Sequence, residues 1–194
     1  NYQPINSLSF AFSTTYNLNP NKTQYVSEKS FGATQRYILG EIDQKTWDAS
    51  LRINYSINPN LSVQFYGSPF ITRGTYTNFN YVNNATASDL NDRVKWYNLN
   101  QISKIGNEYL IDENQDLVTD YKFNNPNFTF AQFRSNLVVR WEYIPGSEMF
   151  LVWSNGATQY GDGTESLGST VDNLIFNRSA DNTFLFKLTY RFLR

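Results

Sequence analysis

The segment Trp47–Ile57, which reads WDASLRINYSI, alternates between apolar and polar side chains. Its odd-numbered positions are all apolar, and its even-numbered positions are all polar. A repeat of two residues is the pattern of a β-strand whose two faces meet different surroundings. The segment is about 11 residues long, which is the length that a tilted strand needs to cross a bilayer. The sequence therefore predicts a membrane-spanning strand here.

The same alternation recurs along the chain. β-branched and aromatic residues dominate these stretches, and a helical repeat of 3.6 residues does not fit them. With Trp47–Ile57 they make about seven antiparallel strands. The further strands are predicted at Leu8–Leu18, Thr23–Phe31, Leu61–Ile71, Gln132–Tyr143, Met149–Trp153 and Thr183–Leu193.

Short and long connections alternate between these strands. Tight turns are predicted at Asn19–Lys22, Asn58–Asn60 and Ile144–Ser147, and long polar loops at about 83–125 and 161–182. Outer-membrane barrels have short periplasmic turns and long extracellular loops. We therefore predict an all-β fold, an antiparallel transmembrane β-barrel, with its turns in the periplasm and its loops outside.

The number of predicted strands indicates whether they can form a whole barrel by themselves. Counting back from a periplasmic C-terminus gives about seven strands, whereas bacterial barrels built from one chain have an even number. We expect residues 1–194 to be one domain, the C-terminal portion of a barrel whose other strands lie upstream of Asn1. This count requires an external hairpin near Phe31–Gln35. Without that hairpin the parity changes, and an eight-stranded barrel becomes possible.

The composition narrows the classes of function. The chain has no Cys and no His, which excludes zinc sites, thiol nucleophiles and His-based triads. Its 16 basic and 17 acidic side chains nearly balance, so we expect no nucleic-acid partner. Aromatic residues make up 17% of the chain although its mean hydropathy is −0.52. That combination suits aromatic girdles around a polar lumen. No catalytic residue is singled out, and we expect a non-enzymatic protein.

The polar faces of the strands carry charged side chains of both signs. In a barrel these side chains point into the lumen, where they either select a permeant solute or form a lattice of ion pairs that stiffens the interior. We favour the lattice, because strong selectivity for anions or cations is not indicated when both signs are present. The predicted lumen-facing residues are Asp48, Arg52, Arg134, Arg140, Glu142, Lys187 and Arg191.

One loop offers oxygen ligands at alternate positions, Asp112, Asn114 and Asp116, as in the first half of a calcium loop. The glycine expected at the sixth position is Leu117 here, and the twelfth position holds Phe123 instead of an acid. If this loop binds a metal ion, the ion that its ligands indicate is calcium. The alternative, an ordinary solvated turn, is the interpretation that we favour.

Three stretches, 36–62, 64–70 and 133–143, carry a family likeness. They resemble the C-terminal β-barrel region of an uncharacterised family of Bacteroidota outer-membrane proteins. The likeness covers most of Arg36–Leu193, and its most specific part is the strand Arg140–Tyr143 with the Pro-Gly turn that follows. Members of that family carry an N-terminal carbohydrate-binding family 9-like module. The resemblance implies a location in the Gram-negative outer membrane and a further N-terminal region.

The end of the chain resembles the signal that the barrel-assembly machinery reads, with Leu188, Tyr190 and Phe192 as its apolar positions. It departs from the commonest form of that signal because it ends in Arg194 instead of Phe. We therefore expect the assembly machinery to be a partner, beside outer-membrane lipid and lipopolysaccharide.

Together these features predict an integral outer-membrane β-barrel protein that serves solute transport or surface glycan handling. Two alternatives remain open. One is a structural or accessory barrel subunit of a larger envelope complex, whose other subunits would be partners. The other is a soluble lipocalin-like β-barrel that binds a ligand, because such barrels also alternate but turn their apolar face inward.

Overall fold

The computed structural model describes residues 1–176 and 180–192, and it is 69% strand and 7% helix, which confirms the all-β antiparallel prediction. There are eleven strands and two helices in these residues. The strands are β1 (Tyr2–Ile5), β2 (Leu8–Phe31), β3 (Thr34–Asn58), β4 (Leu61–Val82), β5 (Val94–Trp96), β6 (Ile102–Ile105), β7 (Glu108–Ile111), β8 (Tyr121–Asn124), β9 (Phe128–Ile144), β10 (Ser147–Gly161) and β11 (Asp181–Leu188). The helices are α1 (Leu90–Arg93) and α2 (Leu167–Phe176).

The described strands form two sheets. The main sheet has the order β1-β2-β3-β4-β9-β10-β11, and β5 pairs with β4 beside it. The second sheet consists of β6, β7 and β8. In residues 1–176 and 180–192, β1 and β11 stand at the two ends of the strand order, so these residues form an open sheet and no closed barrel.

Three predicted connections are confirmed as tight hairpins. β3 ends at Asn58 and β4 begins at Leu61, and the Asn58 side chain accepts a hydrogen bond from the Asn60 amide at 2.9 Å. Gly146, between β9 and β10, has a φ of +78°, a backbone conformation that glycine adopts without steric cost. Gly32, between β2 and β3, has a φ of +57°, so the hairpin near Phe31–Gln35 is present as well.

The predicted turn at Asn19–Lys22 is wrong, because β2 runs through it as one strand of 24 residues. Pro20 suggested a turn, since proline cannot donate a ladder hydrogen bond. Among the described residues, however, β1 pairs with β2 only around Leu8 and Phe10, so the rest of β2 has an open flank, which tolerates proline. Among the described residues the main sheet has eight strands, seven of them in the strand order and β5 beside β4. The two strands predicted over Leu8–Phe31 are one strand, β2, and β1 was not predicted.

The chain forms two compact units. The first unit comprises Asn1–Asn17, Thr46–Thr72 and Thr129–Arg194. Its buried cluster consists of Ile71, Ala131 and Leu174, against which partly buried apolar side chains pack. Leu174 belongs to α2, which occupies much of the predicted loop 161–182. The Ser166 hydroxyl accepts a hydrogen bond from the Ser169 amide at 3.1 Å and so caps the N-terminus of α2.

The second unit comprises Leu18–Lys45 and Arg73–Phe128, and it contains the whole of the predicted loop 83–125. That segment is folded, because it holds α1 and the strands β5 to β8. Aromatic rings build its core, with ring centroids 5.1 Å apart for Phe79 and Phe123 and 5.3 Å apart for Tyr109 and Phe123. The buried members of this core are Ile38, Ile42, Tyr76, Phe79, Ile111, Tyr121 and Phe123.

Neither helix in the described part of the chain is long and apolar enough to span a membrane.

Candidate functional site

In the first unit, β9, β10 and β11 present one apolar face. Leu137 is paired with Trp153, and Trp153 with Phe184, so their side chains point to the same side. The rings of Trp153 and Phe184 stack with centroids 6.2 Å apart. Phe184 is 70% exposed and Phe186 is 61% exposed, so this face is open. The same register adds Val139, Trp141, Met149, Leu151 and Leu188 to the face.

The opposite face of these strands is polar over much of its length. Asn136 is paired with Ser154 and Ser154 with Thr183, and the Ser154 hydroxyl donates a hydrogen bond of 2.6 Å to the Asn136 side-chain oxygen. Arg134, Arg140, Glu142 and Lys187 point to this side by the same register. The alternation predicted from the sequence is therefore present in the sheet itself.

Part of this polar face is an ion-pair lattice. The Arg140 Nε donates to Glu148 Oε1 at 3.0 Å and its Nη2 contacts the same oxygen, while Glu142 Oε2 lies 3.8 Å from Nη2. Glu142 also accepts a hydrogen bond of 2.8 Å from the Gly146 amide. The Lys187 ammonium lies 5.9 Å from the centroid of the Phe150 ring. Arg140, Glu142 and Glu148 therefore form an ion-pair network on this face, whereas a lattice inside a barrel lumen stays a prediction.

The other predicted lumen-facing residues are arranged differently. Arg52 and Arg134 have no acidic side chain within 4.0 Å among the residues described. The Arg52 guanidinium lies 5.3 Å from the centroid of the Tyr66 ring, a cation–π contact. The carboxylate of Asp48 is likewise in no ion pair within this part of the chain, while its backbone carbonyl accepts a hydrogen bond of 3.0 Å from Thr14.

The last strand is shorter than the predicted Thr183–Leu193, so Arg191 lies beyond it, and its lumen-facing position stays a prediction. β11 ends at Leu188. The next residue, Thr189, still makes two backbone hydrogen bonds with Glu148, at 2.8 and 3.1 Å. β10 begins at Ser147, directly before Glu148, so the described residues after Thr189 have no further length of β10 beside them to form a ladder with. The Arg191 amide instead donates to the Ser147 hydroxyl at 3.0 Å. Leu193 lies outside the described residues.

The proposed assembly-signal residues lie at this end of the chain. Leu188 is the last residue of β11, and Tyr190 and Phe192 follow it. The rings of Tyr190 and Phe192 meet edge to face, with centroids 4.7 Å apart. Phe192 is 86% exposed, so the aromatic pair is presented openly. Arg194, at which the signal departs from its commonest form, lies outside the described residues.

The second unit contains a buried polar cluster that sequence reasoning missed. Arg36 on β3 binds the Glu113 carboxylate through two nitrogens, with Nη2 2.7 Å from Oε1 and Nε 3.0 Å from Oε2. The side chains are only 17% and 8% exposed. The Tyr121 hydroxyl donates to Glu113 at 2.6 Å and lies 2.9 Å from the Tyr97 hydroxyl. The guanidinium also lies 4.7 Å from the Tyr81 ring centroid.

This cluster shifts the pKa of each of its members. Burial acts to raise the pKa of Glu113, but the hydrogen bonds from Arg36 and Tyr121 and the guanidinium charge outweigh burial, so its pKa is lowered. The hydrogen bond to Glu113 raises the pKa of Arg36. Burial raises the pKa of Tyr97 and Tyr121 far above the ordinary tyrosine value. At neutral pH the cluster therefore holds one cation, one anion and neutral phenols.

The calcium candidates are close to Glu113 in the sequence, but their side-chain oxygens accept hydrogen bonds from backbone amides of the same loop. The Asp112 carboxylate accepts amide hydrogen bonds from Asp116 at 3.1 Å and Leu117 at 2.8 Å. Asn114 also accepts from the Asp116 amide, at 3.0 Å, and Asp116 accepts from the Val118 amide at 2.9 Å. Among residues 1–176 and 180–192 there is no group of three or more His, Cys, Asp or Glu that could hold a metal ion. This arrangement is that of an Asx-rich turn.

No curated protein and no solved structure matches the chain in sequence or fold comparisons. One domain family does match, and its description is a domain of unknown function, DUF5916. The match extends over residues 1–193, which is nearly the whole chain and includes both units. The chain therefore belongs to the DUF5916 family.

Proposed function

We propose that this chain forms part of an integral outer-membrane β-barrel whose polar lumen passes or holds a solute. The observation that carries the proposal is the division of β9, β10 and β11 into an exposed apolar face and a polar face. Monomeric soluble proteins rarely expose contiguous apolar patches above a few hundred Å². Facing lipid on one side and a wet lumen on the other satisfies both faces of the sheet.

The open edges of the main sheet support the same proposal. All eight residues of β11 are exposed, and β1 covers only the start of β2. Lipid offers no partner for unpaired backbone groups, so strands in a membrane must close on themselves. We therefore propose that further strands, beyond those described, join the edge of β2 to the edge of β11.

The polar lining suits a hydrophilic solute, which fits transport or surface glycan handling in a Gram-negative outer membrane. Lipid and lipopolysaccharide would contact the apolar face, and the barrel-assembly machinery would read Tyr190 and Phe192. The resemblance to Bacteroidota outer-membrane proteins with a carbohydrate-binding module supports the glycan variant of this proposal. An accessory role in a larger envelope complex would use the same surfaces.

The proposal is tested by membrane fractionation followed by gel electrophoresis of heated and unheated samples. We expect the full-length protein in the outer-membrane fraction, extractable only with detergent, and migrating faster before heating than after it. A closed barrel resists unfolding by the gel detergent until it is heated. A protein that fractionates as soluble, with one mobility at both temperatures, would contradict the proposal.

A second candidate is a soluble β-protein that binds a ligand on its sheet, and one observation favours it. Leu174 of α2 is fully buried against Ile71 and Ala131, so a helix covers part of the apolar side of the first unit. In a soluble protein, such cover is how an apolar sheet face is hidden from water. Purification without detergent as a monodisperse species would select this candidate over the barrel.

A further inference from the structure

We infer that the polar face of the first unit holds a binding subsite for a small hydroxylated oxyanion, with Arg52 and Arg134 as its anion-binding groups. The oxyanion is a carboxylate or a phosphate carried on a sugar-like solute. The inference rests on the proposed function in one respect, because it takes the polar face to be the side on which a solute is handled.

Two grooves that share Asn136 form this subsite. The larger has a volume of about 350 Å³. The smaller has a volume of about 90 Å³ and lies along Arg52, Asn54, Gln64 and Tyr66. Since Asn136 lines both grooves, the two arginines flank one continuous polar strip. The larger groove is lined by Arg134, Asn136, Ser154, Gly156, Asp181 and Thr183, among others.

The two arginines are held in place, and neither forms an ion pair among the residues that the structure describes. Arg52 is positioned by its contact with the Tyr66 ring, at 5.3 Å from the ring centroid. Arg134 crosses Gly156, where a Cβ atom would lie 2.8 Å from Nη1 and 3.4 Å from Cδ. Glycine at this position therefore makes the space that the guanidinium occupies. By contrast, Arg140 on the same face is paired with Glu148 and Glu142.

The charge and hydrogen-bonding groups of the strip define its ligand. The two guanidiniums face one carboxylate among the lining residues, that of Asp181, so the strip has a net positive charge. A free guanidinium binds carboxylate or phosphate through two parallel hydrogen bonds. The neutral amides and hydroxyls, including Gln64 and Thr183, match ligand hydroxyl groups, and Asp181 can accept from one of them. A hydroxylated oxyanion satisfies all of these groups at once.

Isothermal titration calorimetry of the full-length protein in detergent micelles tests this inference, with glucuronate, glucose 6-phosphate and neutral glucose as probes. We expect at least one anion to bind and glucose to bind at least about tenfold more weakly, because it lacks the charge-assisted bonds. Tighter binding of glucuronate assigns a carboxylate ligand, and tighter binding of glucose 6-phosphate assigns a phosphate ligand.

Variants identify the binding groups. Arg134→Gln and Arg52→Gln should each weaken anion binding on the order of tenfold, because each removes one charged fork. Gly156→Ala should also weaken it, because it displaces Arg134 while leaving the charge unchanged. Lys187→Gln is the matched control, since it removes a cation from the same face outside both grooves. It should leave the affinity within about twofold, as expected of a distant screened charge.

The inference is overturned if neither anion binds the wild-type protein or if glucose binds as tightly as the anions. It is also overturned if Lys187→Gln weakens binding as much as Arg134→Gln, because the effect would then be general charge. Gly156→Ala provides the test where Arg134→Gln does not fold, as judged by far-UV circular dichroism. Failure of the barrel proposal would show in fractionation and heat-modifiability, whereas failure of the subsite would show only in these titrations.

Discussion

Arg36 and Glu113 form a largely buried ion pair, and the contribution of each residue to stability depends on the presence of the other. A buried pair is costly to desolvate, and removing one partner leaves the other charge uncompensated. Here the carboxylate also accepts a phenolic hydrogen bond, from Tyr121 at 2.6 Å. Arg36 belongs to β3 and Glu113 follows β7, so one polar cluster joins strands far apart in the chain.

The substitution Glu113→Gln should destabilise the protein by about 3 kcal/mol, because it leaves the Arg36 charge buried and unpaired. Unfolding in guanidinium chloride, followed by tryptophan fluorescence, measures the loss. Glu108→Gln is the matched control, since Glu108 pairs with Lys122 at 2.9 Å on an exposed surface. That variant should cost less than about 0.5 kcal/mol. Equal losses in the two variants would show that burial of the pair does not matter.

The same pair predicts a dependence of stability on pH. The pKa of Glu113 is lowered in the folded protein from its ordinary value of 4.5, so its contribution to stability is fully present above that value. The contribution is lost as the pH falls through the folded pKa. The difference in unfolding free energy between wild type and Glu113→Gln should therefore shrink below about pH 4.5. A difference that stays constant from pH 7 to pH 3 would rule out this carboxylate as the source.

At the scale of secondary-structure elements, the strands and hairpins were largely predictable because the sequence signals for them lie within a few neighbouring residues. Alternation over Trp47–Ile57 and glycine in the Pro-Gly turn are both properties of a few neighbouring residues. The turn at Asn19–Lys22 was wrong because the effect of Pro20 depends on whether the strand beside it is paired. That pairing is decided by tertiary structure, which the local sequence does not contain.

The folded segment within 83–125 and the cluster around Glu113 were not predictable for a similar reason. Arg36 and Glu113 are 77 residues apart, and no spacing rule links them. Glu113 belongs to an acidic run that suggested calcium, whereas Arg36 lies outside the predicted strands, in a stretch that was notable only for its family likeness. That Arg134, Arg140, Glu142 and Lys187 share one face of the sheet was predictable from the alternation along their strands. Arg140 has acidic partners, whereas Arg52 and Arg134 have none among the described residues, and this difference depends on the cross-strand register.

The helix α2 offers a test at this scale. Leu174→Ala should weaken the attachment of α2 by about 3 kcal/mol, because it opens a cavity against Ile71 and Ala131. Hydrogen exchange of the α2 amides, read by mass spectrometry, reports that loss as faster exchange. Ile175→Ala is the control, since Ile175 is 38% exposed and should cost less than about 1 kcal/mol. Equally fast exchange in both variants would contradict the packing described for α2.

At the scale of the whole molecule, the proposed barrel would place the two faces of one sheet in opposite environments. Apolar side chains such as Leu151 and Phe186 would face lipid, and polar ones such as Ser154 and Thr183 would face a wet lumen. The chain has no Cys, so a single introduced cysteine reports on one position without interference.

The most direct test of this central claim is labelling of single cysteines in isolated outer membranes with a water-soluble maleimide. Leu151→Cys and Phe186→Cys should be labelled slowly, and Ser154→Cys and Thr183→Cys rapidly, with all four labelled alike after denaturation. This period of two is what a lipid face and a lumen face predict. Equal labelling of all four positions in the membrane, or faster labelling at 151 and 186, would contradict it.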